Sequence, residues 1–248
     1  MIPPTAADID RATIVTWPAR VTEERDGWFY LADNGVTGRV NAVWPLGQPG
    51  GDIDHAIDAA EAWYAARNLP PRFKLTDGAT APDDLAERLA RRGYTQASPT
   101  LVMRAQLSAD PGAYEGVELA AAPPPAFNQA LEASAVSAED MAERRGIALR
   151  APQPAAFGSR MRDERVVAVG VSVVSARLAG IYLMRTVPDA RRQGHALHLL
   201  RGLLDWAANR QKAQHAFLQV DTDNTPAISL YLREGFETLT TYRYWKKS

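Results

Sequence analysis

A basic, glycine-containing segment near the C-terminus has residue types that bind phosphate groups. It runs from Thr186 to Ala196 and reads TVPDARRQGHA. It lies between a predicted strand and a predicted amphipathic helix, whose first N–H groups are unpaired and carry the positive end of the helix dipole. Gly194 would let the backbone approach a phosphate closely, and Arg191 and Arg192 add positive charge. The segment is a candidate pyrophosphate site, although the same pattern also occurs in solvated basic turns.

A second segment with chemical potential begins thirty residues after Gly194 and reads NTPAISLYLREGF. It predicts a short helix, with Thr225 as the N-cap and Pro226 at the first helical position. Ala227 and Tyr231 are four residues apart and therefore share a helix face, which can turn toward the groove beside the preceding strand. A phenol there is a candidate proton donor, and a core tyrosine with a satisfied hydroxyl is the simpler structural interpretation.

Alternating apolar residues and amphipathic periodicity predict the elements that position these segments. In the C-terminal half we predict strands at Val166–Val174, Leu178–Thr186, Ala216–Asp221 and Leu239–Lys246, and helices at Gly194–Gln211 and Pro226–Glu234. In the N-terminal half we predict strands at Trp28–Leu31, Gly38–Trp44, Arg72–Leu75 and Thr100–Gln106, and helices at Asp52–Arg67 and Ala81–Arg92. The element order is similar in the two halves.

The proline-rich stretch Leu107–Pro125 lacks clear periodicity and predicts a domain boundary. We place the domains at residues 1–113 and 114–248. Both halves contain a glycine that closes a helix before an aromatic residue, at Gly93-Tyr94 and Gly235-Phe236. Because this pattern recurs after a matching strand and helix, it suggests an old duplication.

Taken together, the two C-terminal segments resemble the GNAT superfamily of acyl-CoA-dependent N-acyltransferases. The resemblance rests on Arg191-x-x-Gly194-x-Ala196 followed by Asn224-x-x-Ala227-x-x-x-Tyr231-x-x-x-Gly235-Phe236. It implies an α/β (α+β) fold of two GNAT-like domains, each a mixed, mostly antiparallel twisted sheet flanked by helices. The N-terminal half looks like the degenerate first copy of tandem bacterial GNAT proteins.

The resemblance also implies how acetyl-CoA is bound. The acyl-CoA would lie in a V between two splayed strands, with backbone groups of Met184–Thr186 on the pantetheine arm and the loop Arg192–Leu197 on the pyrophosphate. The expected cofactor-binding residues are Met184, Arg185, Thr186, Arg191, Arg192, Gln193, Gly194, His195, Ala196, Leu197, Asn224 and Ala227. An acceptor amine would attack the thioester directly, and Tyr231, with a pKa near the usual ~10, would protonate the departing thiolate.

Two positions depart from the pattern of the family. Some members have a glutamate as general base five residues before the asparagine, where this chain has Gln219, which cannot take a proton. The base could instead be water-mediated or come from Asp221 or Asp223. His195 stands where the loop usually has an aliphatic residue, and we expect it to be exposed rather than catalytic.

The N-terminal half is expected to have lost its cofactor. Its counterpart of the pyrophosphate loop, Pro45–Gly51, has no arginine, and Asp52 and Asp54 would occupy the positive end of the next helix and repel a pyrophosphate. Leu89 stands where the other half has Tyr231. We expect this half to be structural, completing the acceptor pocket or an interface such as that of a homodimer.

Composition restricts the partners, cofactors and cellular location that we expect for this protein. The formal net charge is -1, which gives no reason to expect nucleic acid or a membrane as partner. The chain has no cysteine, which fits a reducing cytoplasm. Its four histidines form no zinc motif, and we expect no metal. The first residues show no signal pattern, and no apolar run reaches the ~20 residues of a membrane span.

Three functions remain at this stage. The first is an N-acetyltransferase acting on a primary amine, of a small molecule in preference to a peptide or protein. The second is a non-catalytic acyl-CoA-binding sensor or scaffold, which Gln219 keeps open and Tyr231 argues against. A nucleotide-binding regulator has only the basic loop in its favour, because the chain lacks both Gly-x-Gly-x-x-Gly and the P-loop motif. Acceptor specificity is expected from Ser134–Pro154, whose Glu139, Asp140, Glu143, Arg144 and Arg145 form either an entrance or a solvated helix face.

Overall fold

The computed structural model describes residues 2–108, 114–134 and 137–247. Its helices are α1 Ala6–Thr16, α2 Ile53–Ala65, α3 Leu85–Arg91, α4 Pro125–Ala133, α5 Ala138–Arg150, α6 His195–Asp205 and α7 Thr225–Arg233. Its strands are β1 Val21–Arg25, β2 Trp28–Ala32, β3 Ala42–Pro45, β4 Arg72–Thr76, β5 Thr95–Gln106, β6 Val117–Ala120, β7 Ala155–Arg162, β8 Arg165–Ser175, β9 Leu178–Thr186, β10 His215–Asp221 and β11 Glu237–Lys246.

These strands form one sheet in the order β1-β2-β3-β4-β11-β5-β10-β9-β8-β7-β6. Only the pairs β3/β4 and β9/β10 are parallel, and the remaining neighbours are antiparallel. Helices pack on the sheet through three apolar clusters, of which one includes side chains of α1, α4 and α5, and another those of α6 and α7. The mixed, mostly antiparallel α/β fold is therefore confirmed.

The two predicted halves exchange their closing strands within this sheet. Strand β11 lies between β4 and β5, and β5 lies against β10. The last strand of each half is therefore paired with strands of the other, and the hydrogen bonds of the sheet run through both halves. The boundary at residue 113 borders the segment 109–113, outside the described residues, and stays a prediction.

Most predicted elements are present, but α1, α4, β1 and β7 were not predicted, and some predicted elements need correction. Helix α1 was not predicted, although Thr5 and Asp8 form a capping box at its start. Residues 38–40 are a 3₁₀ turn rather than strand, because the Asn41 side chain accepts from the N–H groups of Asp33 and Gly35 and so competes with strand pairing.

Two further corrections concern elements in the C-terminal half. The stretch predicted to be irregular contains β6, which takes its hydrogen bonds from β7. The long helix predicted to reach Gln211 is α-helical only to Asp205, and Trp206–Arg210 form a π-helical turn. Tertiary pairing and a local change in helical hydrogen bonding are not encoded in the periodicity that predicted these segments.

Candidate active site

A gap opens between β9 and β10 at the centre of the sheet. The two strands pair only where Leu178–Gly180 lie beside His215–Phe217. Beyond this point β9 continues to Thr186 along β8, and β10 continues to Asp221 along β5. Two neighbouring strands that follow different partners leave a wedge-shaped opening between them, which is the V that the GNAT resemblance implies.

A β-bulge in β9 faces this gap. The register with β8 shifts between Val171, which pairs with Tyr182, and Val169, which pairs with Arg185, so that Leu183 and Met184 both lie opposite Gly170. Leu183 has a φ of 51°, which is unusual for a residue with a branched side chain. A bulge leaves backbone groups outside the ladder. It therefore supplies unpaired backbone polar groups at the edge of the opening, at the start of the segment Met184–Thr186 predicted to contact pantetheine.

The loop after β9 ends at an open helix start. Gly194 caps α6 in the left-handed conformation with a φ of 83°, and no side chain caps the helix. A Cβ placed on Gly194 would meet no atom within 4 Å, so the space in front of the helix is free. Arg191, Arg192 and Gln193 are exposed beside it. This combination of unpaired N–H groups, free approach and positive charge fits a pyrophosphate.

His195, the first residue of α6, is buried rather than exposed as predicted. Its side chain is 6% exposed, and neither ring nitrogen has a hydrogen-bond partner. Burial lowers the pKa of His195, and the nearby charges of Arg160 and Arg162 lower it further. The imidazole is therefore neutral near pH 7. The sequence suggested exposure because the loop is polar, but the first turn of α6 packs its inner face on the sheet.

Helix α7 begins one residue earlier than predicted. The N-cap is Asn224, whose Oδ1 accepts a hydrogen bond of 3.3 Å from the N–H of Ala227, and Thr225 is the first helical residue. Asn224 also lines a cavity of about 500 Å³ together with Asp221 and Asp223. The residues that the sequence singled out at the start of α7 thus lie at the end of β10, beside the mouth of the gap.

Tyr231 on α7 is 7% exposed, and its ring centroid is 5.9 Å from that of Phe236. Burial raises its pKa to about 12, against a smaller lowering by the charge of Arg185. The expectation of an ordinary phenol pKa is therefore wrong. The hydroxyl keeps its proton throughout the neutral range and can act there as a proton donor but not as a base.

Helix α1 closes the opposite side of the gap, a role that the sequence analysis missed. The Tyr182 hydroxyl on β9 shares a hydrogen bond of 2.7 Å with the hydroxyl of Thr16, and its ring stacks on Trp17 at 4.6 Å. On β10, Gln219 Nε2 donates to the hydroxyl of Thr13 at 3.1 Å. The capping box at the start of α1 was the signal that could have revealed this helix.

Helix α5 carries the charges predicted for an entrance. The Nε of Arg144 lies 2.7 Å from a carboxylate oxygen of Asp140. Glu143 is 1% exposed, and its Oε1 accepts hydrogen bonds of 2.9 Å from the Asn34 N–H and from Asn41 Nδ2. A solvated helix face was therefore the wrong interpretation for Glu143, which ties α5 to the loop before β3.

The equivalent helix start in the N-terminal half is capped by a side chain. Asp52 caps α2 and accepts from the N–H groups of Asp54 and His55, so a carboxylate already occupies the helix start. Leu89 is fully buried in the local core. The expectation that this half does not bind a pyrophosphate stays a prediction.

Comparisons with known proteins give a consistent result. A family model described as "Probable histone acetyltransferase Rv0428c C-terminal" matches residues 6–245. The chain is 26% identical over 243 residues to "Uncharacterized N-acetyltransferase YobR" of Bacillus subtilis (strain 168), a match that covers 95% of this chain and 96% of the relative.

Solved structures share the fold. A GCN5-related N-acetyltransferase from Kribbella flavida superimposes with a TM-score of 0.72 and 17% identity, over 98% of this chain and 95% of the other. A tandem GNAT protein from the clavulanic acid biosynthesis pathway, solved without AcCoA, superimposes with a TM-score of 0.60 and 15% identity, over 98% and 89% of the two chains. Among the described residues, no helix is long and apolar enough to cross a membrane.

Proposed function

Since the chain belongs to the GNAT acetyltransferases, in the family whose model spans residues 6–245, we propose that it moves an acetyl group from acetyl-CoA to a primary amine of a small molecule. The reaction forms an amide bond at the acceptor nitrogen, breaks the thioester C–S bond and releases CoA with its thiol protonated. The observation that carries the proposal is the opening between β9 and β10, which leads to the uncapped start of α6.

Each part of the opening suits a part of the donor. Bound acetyl-CoA would supply the activated thioester. Backbone polar groups at the bulge around Leu183 and Met184 would bind the pantetheine arm and polarise the thioester carbonyl. Arg191, Arg192 and the free N–H groups that follow Gly194 would hold the pyrophosphate. Gln193–Leu197, Asn224 and Ala227 would line the rest of the acetyl-CoA binding site.

Two proton transfers complete the reaction. Tyr231 would donate to the sulfur as the C–S bond breaks, and its buried environment ensures that it carries the proton at neutral pH. The acceptor amine must lose a proton before or during attack. Asp221 and Asp223 line the cavity beside Asn224 and are the carboxylates from which a water-mediated base could act. Gln219 is excluded from this role, because an amide does not accept a proton at these pH values.

A second candidate function is a non-catalytic acyl-CoA sensor, and one observation favours it. The amide of Gln219 is fixed to Thr13 at the place where some GNAT enzymes have their base. Tyr231 would then serve only the core. The two functions differ in one outcome, because both predict binding of acetyl-CoA and only the transferase predicts turnover.

For the N-terminal half we propose a structural role that includes one wall of the acceptor site. Helix α1 contacts both strands that border the opening, through Thr16 to β9 and through Thr13 to β10. The exchanged strands β5 and β11 make the halves interdependent, so an isolated half is not a suitable protein for experiments.

Calorimetric titration of the whole chain tests the proposal. Acetyl-CoA and a non-reactive thioether analogue are titrated into wild type and Arg192→Ala, with the exposed Arg210→Ala at the end of the π-helical turn as matched control. We expect micromolar binding by wild type and by the control, and at least tenfold weaker binding by Arg192→Ala. Absence of binding by wild type would refute both functions. Binding without release of CoA over a broad amine panel would leave the sensor.

A further inference from the structure

Arg185 presents an unusual charge at the edge of the opening. It lies on β9, five residues beyond Gly180, the last residue of β9 that pairs with β10. Its side chain is only partly accessible, and within the described part of the chain its guanidinium has no hydrogen bond or salt bridge. A guanidinium stays charged at all physiological pH values, and removing it from water without a partner is unfavourable.

The charged and titratable groups around Arg185 do not neutralise it. Arg144 and Asp140 on α5, Tyr231 on α7 and Asp221 at the end of β10 are close enough to influence its pKa. Burial lowers that pKa, and the charge of Arg144 lowers it further. The carboxylate of Asp140 is already bound to Arg144 at 2.7 Å. The guanidinium of Arg185 therefore lies beside the opening, among these groups, with its hydrogen-bonding capacity unused.

The position of Arg185 separates it from the expected pyrophosphate site. Met184 packs in the cluster that contains α6, whereas the electrostatic neighbours of Arg185 include two residues of α5, on the face covered by α1, α4 and α5. Successive side chains of a strand point to opposite faces. The start of α6, with Arg191 and Arg192, thus lies on one face, and the guanidinium of Arg185 on the other.

Tyr231 links this guanidinium to the reacting atoms. The phenol belongs to the cluster on the α6 face, and the charge of Arg185 still influences its pKa. An anion bound by Arg185 would therefore lie near Tyr231, the proposed proton donor. Asp221 stands on the β10 side and accepts a hydrogen bond of 3.3 Å from the hydroxyl of Thr100. It supplies the opposite charge for an ammonium group.

Resting on the function proposed above, we propose that Arg185 binds a carboxylate of the acceptor, which makes the acceptor a small amine with its own carboxylate, such as a free amino acid. A single planar guanidinium binds a carboxylate through two parallel hydrogen bonds, so it selects both the negative charge and the orientation of the bound acceptor. In this proposal the backbone of Arg185 contacts the pantetheine arm, and its side chain binds the acceptor.

The test compares amines that differ only in the anionic group. Free amino acids are paired with their C-terminal amides, and phosphoethanolamine is paired with ethanolamine, all at saturating acetyl-CoA. For wild type we expect kcat/KM to be at least tenfold higher for the best amino acid than for its amide. In Arg185→Gln this ratio should fall toward one, mainly through KM, whereas Arg185→Lys should recover part of it. Arg210→Gln, at an exposed position, should keep the wild-type ratio.

Titration of acetyl-CoA into the same proteins separates the two proposals. If wild type does not bind acetyl-CoA, the function itself fails. If acetyl-CoA binds normally, three results overturn only the assignment of Arg185. Amino acid amides react as well as the free acids, no free amino acid reacts, or Arg185→Gln keeps the preference for free acids over amides. Preference for the phosphate-bearing amine, or a tenfold loss of acetyl-CoA affinity in Arg185→Gln, overturns it as well.

Discussion

Gln219 on β10 donates a hydrogen bond of 3.1 Å to the hydroxyl of Thr13 on α1, a residue 206 positions earlier in the chain. Thr13 in turn donates to the carbonyl of Ile9, within its own helix. The other end of the amide, Gln219 Oε1, is buried without a partner. The side chain that replaces the glutamate of some GNAT enzymes is thus fixed by the N-terminal helix, and its free carbonyl oxygen is an acceptor beside the gap.

Thr13→Val should lower the free energy of unfolding by about 1 kcal/mol, because it leaves Nε2 of the half-buried Gln219 without its acceptor at nearly unchanged side-chain volume. Urea denaturation measures the change. Thr22→Val on the exposed face of β1 is the matched control and should stay within about 0.5 kcal/mol of wild type. Combining Thr13→Val with Gln219→Met should cost less than the sum of the two single changes. Strict additivity would contradict a direct interaction.

Tyr231→Phe should reduce turnover by about 10²- to 10⁴-fold while acetyl-CoA affinity stays near that of wild type, because only the proton donor is lost. Steady-state kinetics and calorimetry on the same preparation measure the two quantities. Tyr94→Phe is the control, since that hydroxyl is bound to Glu61 at 2.9 Å in the N-terminal half. Because burial raises the pKa of Tyr231 to about 12, its ionisation should not lower the wild-type rate between pH 7 and 10. Full activity of Tyr231→Phe would refute its role.

The sequence predicts the parts of the site whose signals are local. Each of these signals spans only one or two helical turns of sequence. They are the glycine and arginines before α6, the apolar stripe of α6, and the proline and glycine at the two ends of α7. The capping box of α1 is also a local signal, but the place of this helix beside the gap depends on contacts with β9 and β10, which lie far away in the chain. The burial of His195 likewise depends on how α6 meets the sheet. Strand exchange cannot be predicted from local sequence, because β5 and β11 would have the same sequence pattern whichever strand they paired with.

Lys74→Met should destabilise the protein by about 3–5 kcal/mol, because it leaves a buried carboxylate without its cation. Lys74 and Asp10 are each 1% exposed, and Lys74 Nζ lies 2.7 Å and 2.8 Å from the two carboxylate oxygens. The pair joins β4 to α1. Urea denaturation of the single variant and of the double variant with Asp10→Leu measures the effect.

The double variant should recover much of the loss, because it buries no unpaired charge. It also keeps the prediction testable if Lys74→Met alone does not fold. A double variant that is as unstable as the single one would show that the fold depends on the shape of these side chains rather than on their charges.

His195→Leu should make stability less dependent on pH between about 7 and 5. Burial holds the pKa of folded His195 below the ordinary 6.5, so the unfolded chain takes up a proton at a higher pH than the folded chain does. The free energy of unfolding of wild type therefore falls as the pH drops from about 6.5 toward the folded pKa. Urea midpoints measured at several pH values in this range follow the effect, with His55→Leu on the exposed face of α2 as the control.

The free energy of unfolding of His195→Leu should still depend on pH, because burial also lowers the pKa of His215 in both proteins. Only the difference between the two curves therefore reports on His195, and it should grow from pH 7 downward and level off below the folded pKa. Parallel curves would mean that the imidazole of His195 gains water or a partner in solution. A neutral imidazole also adds no charge to the start of α6, so affinity for acetyl-CoA should change less on His195→Leu than on Arg192→Ala.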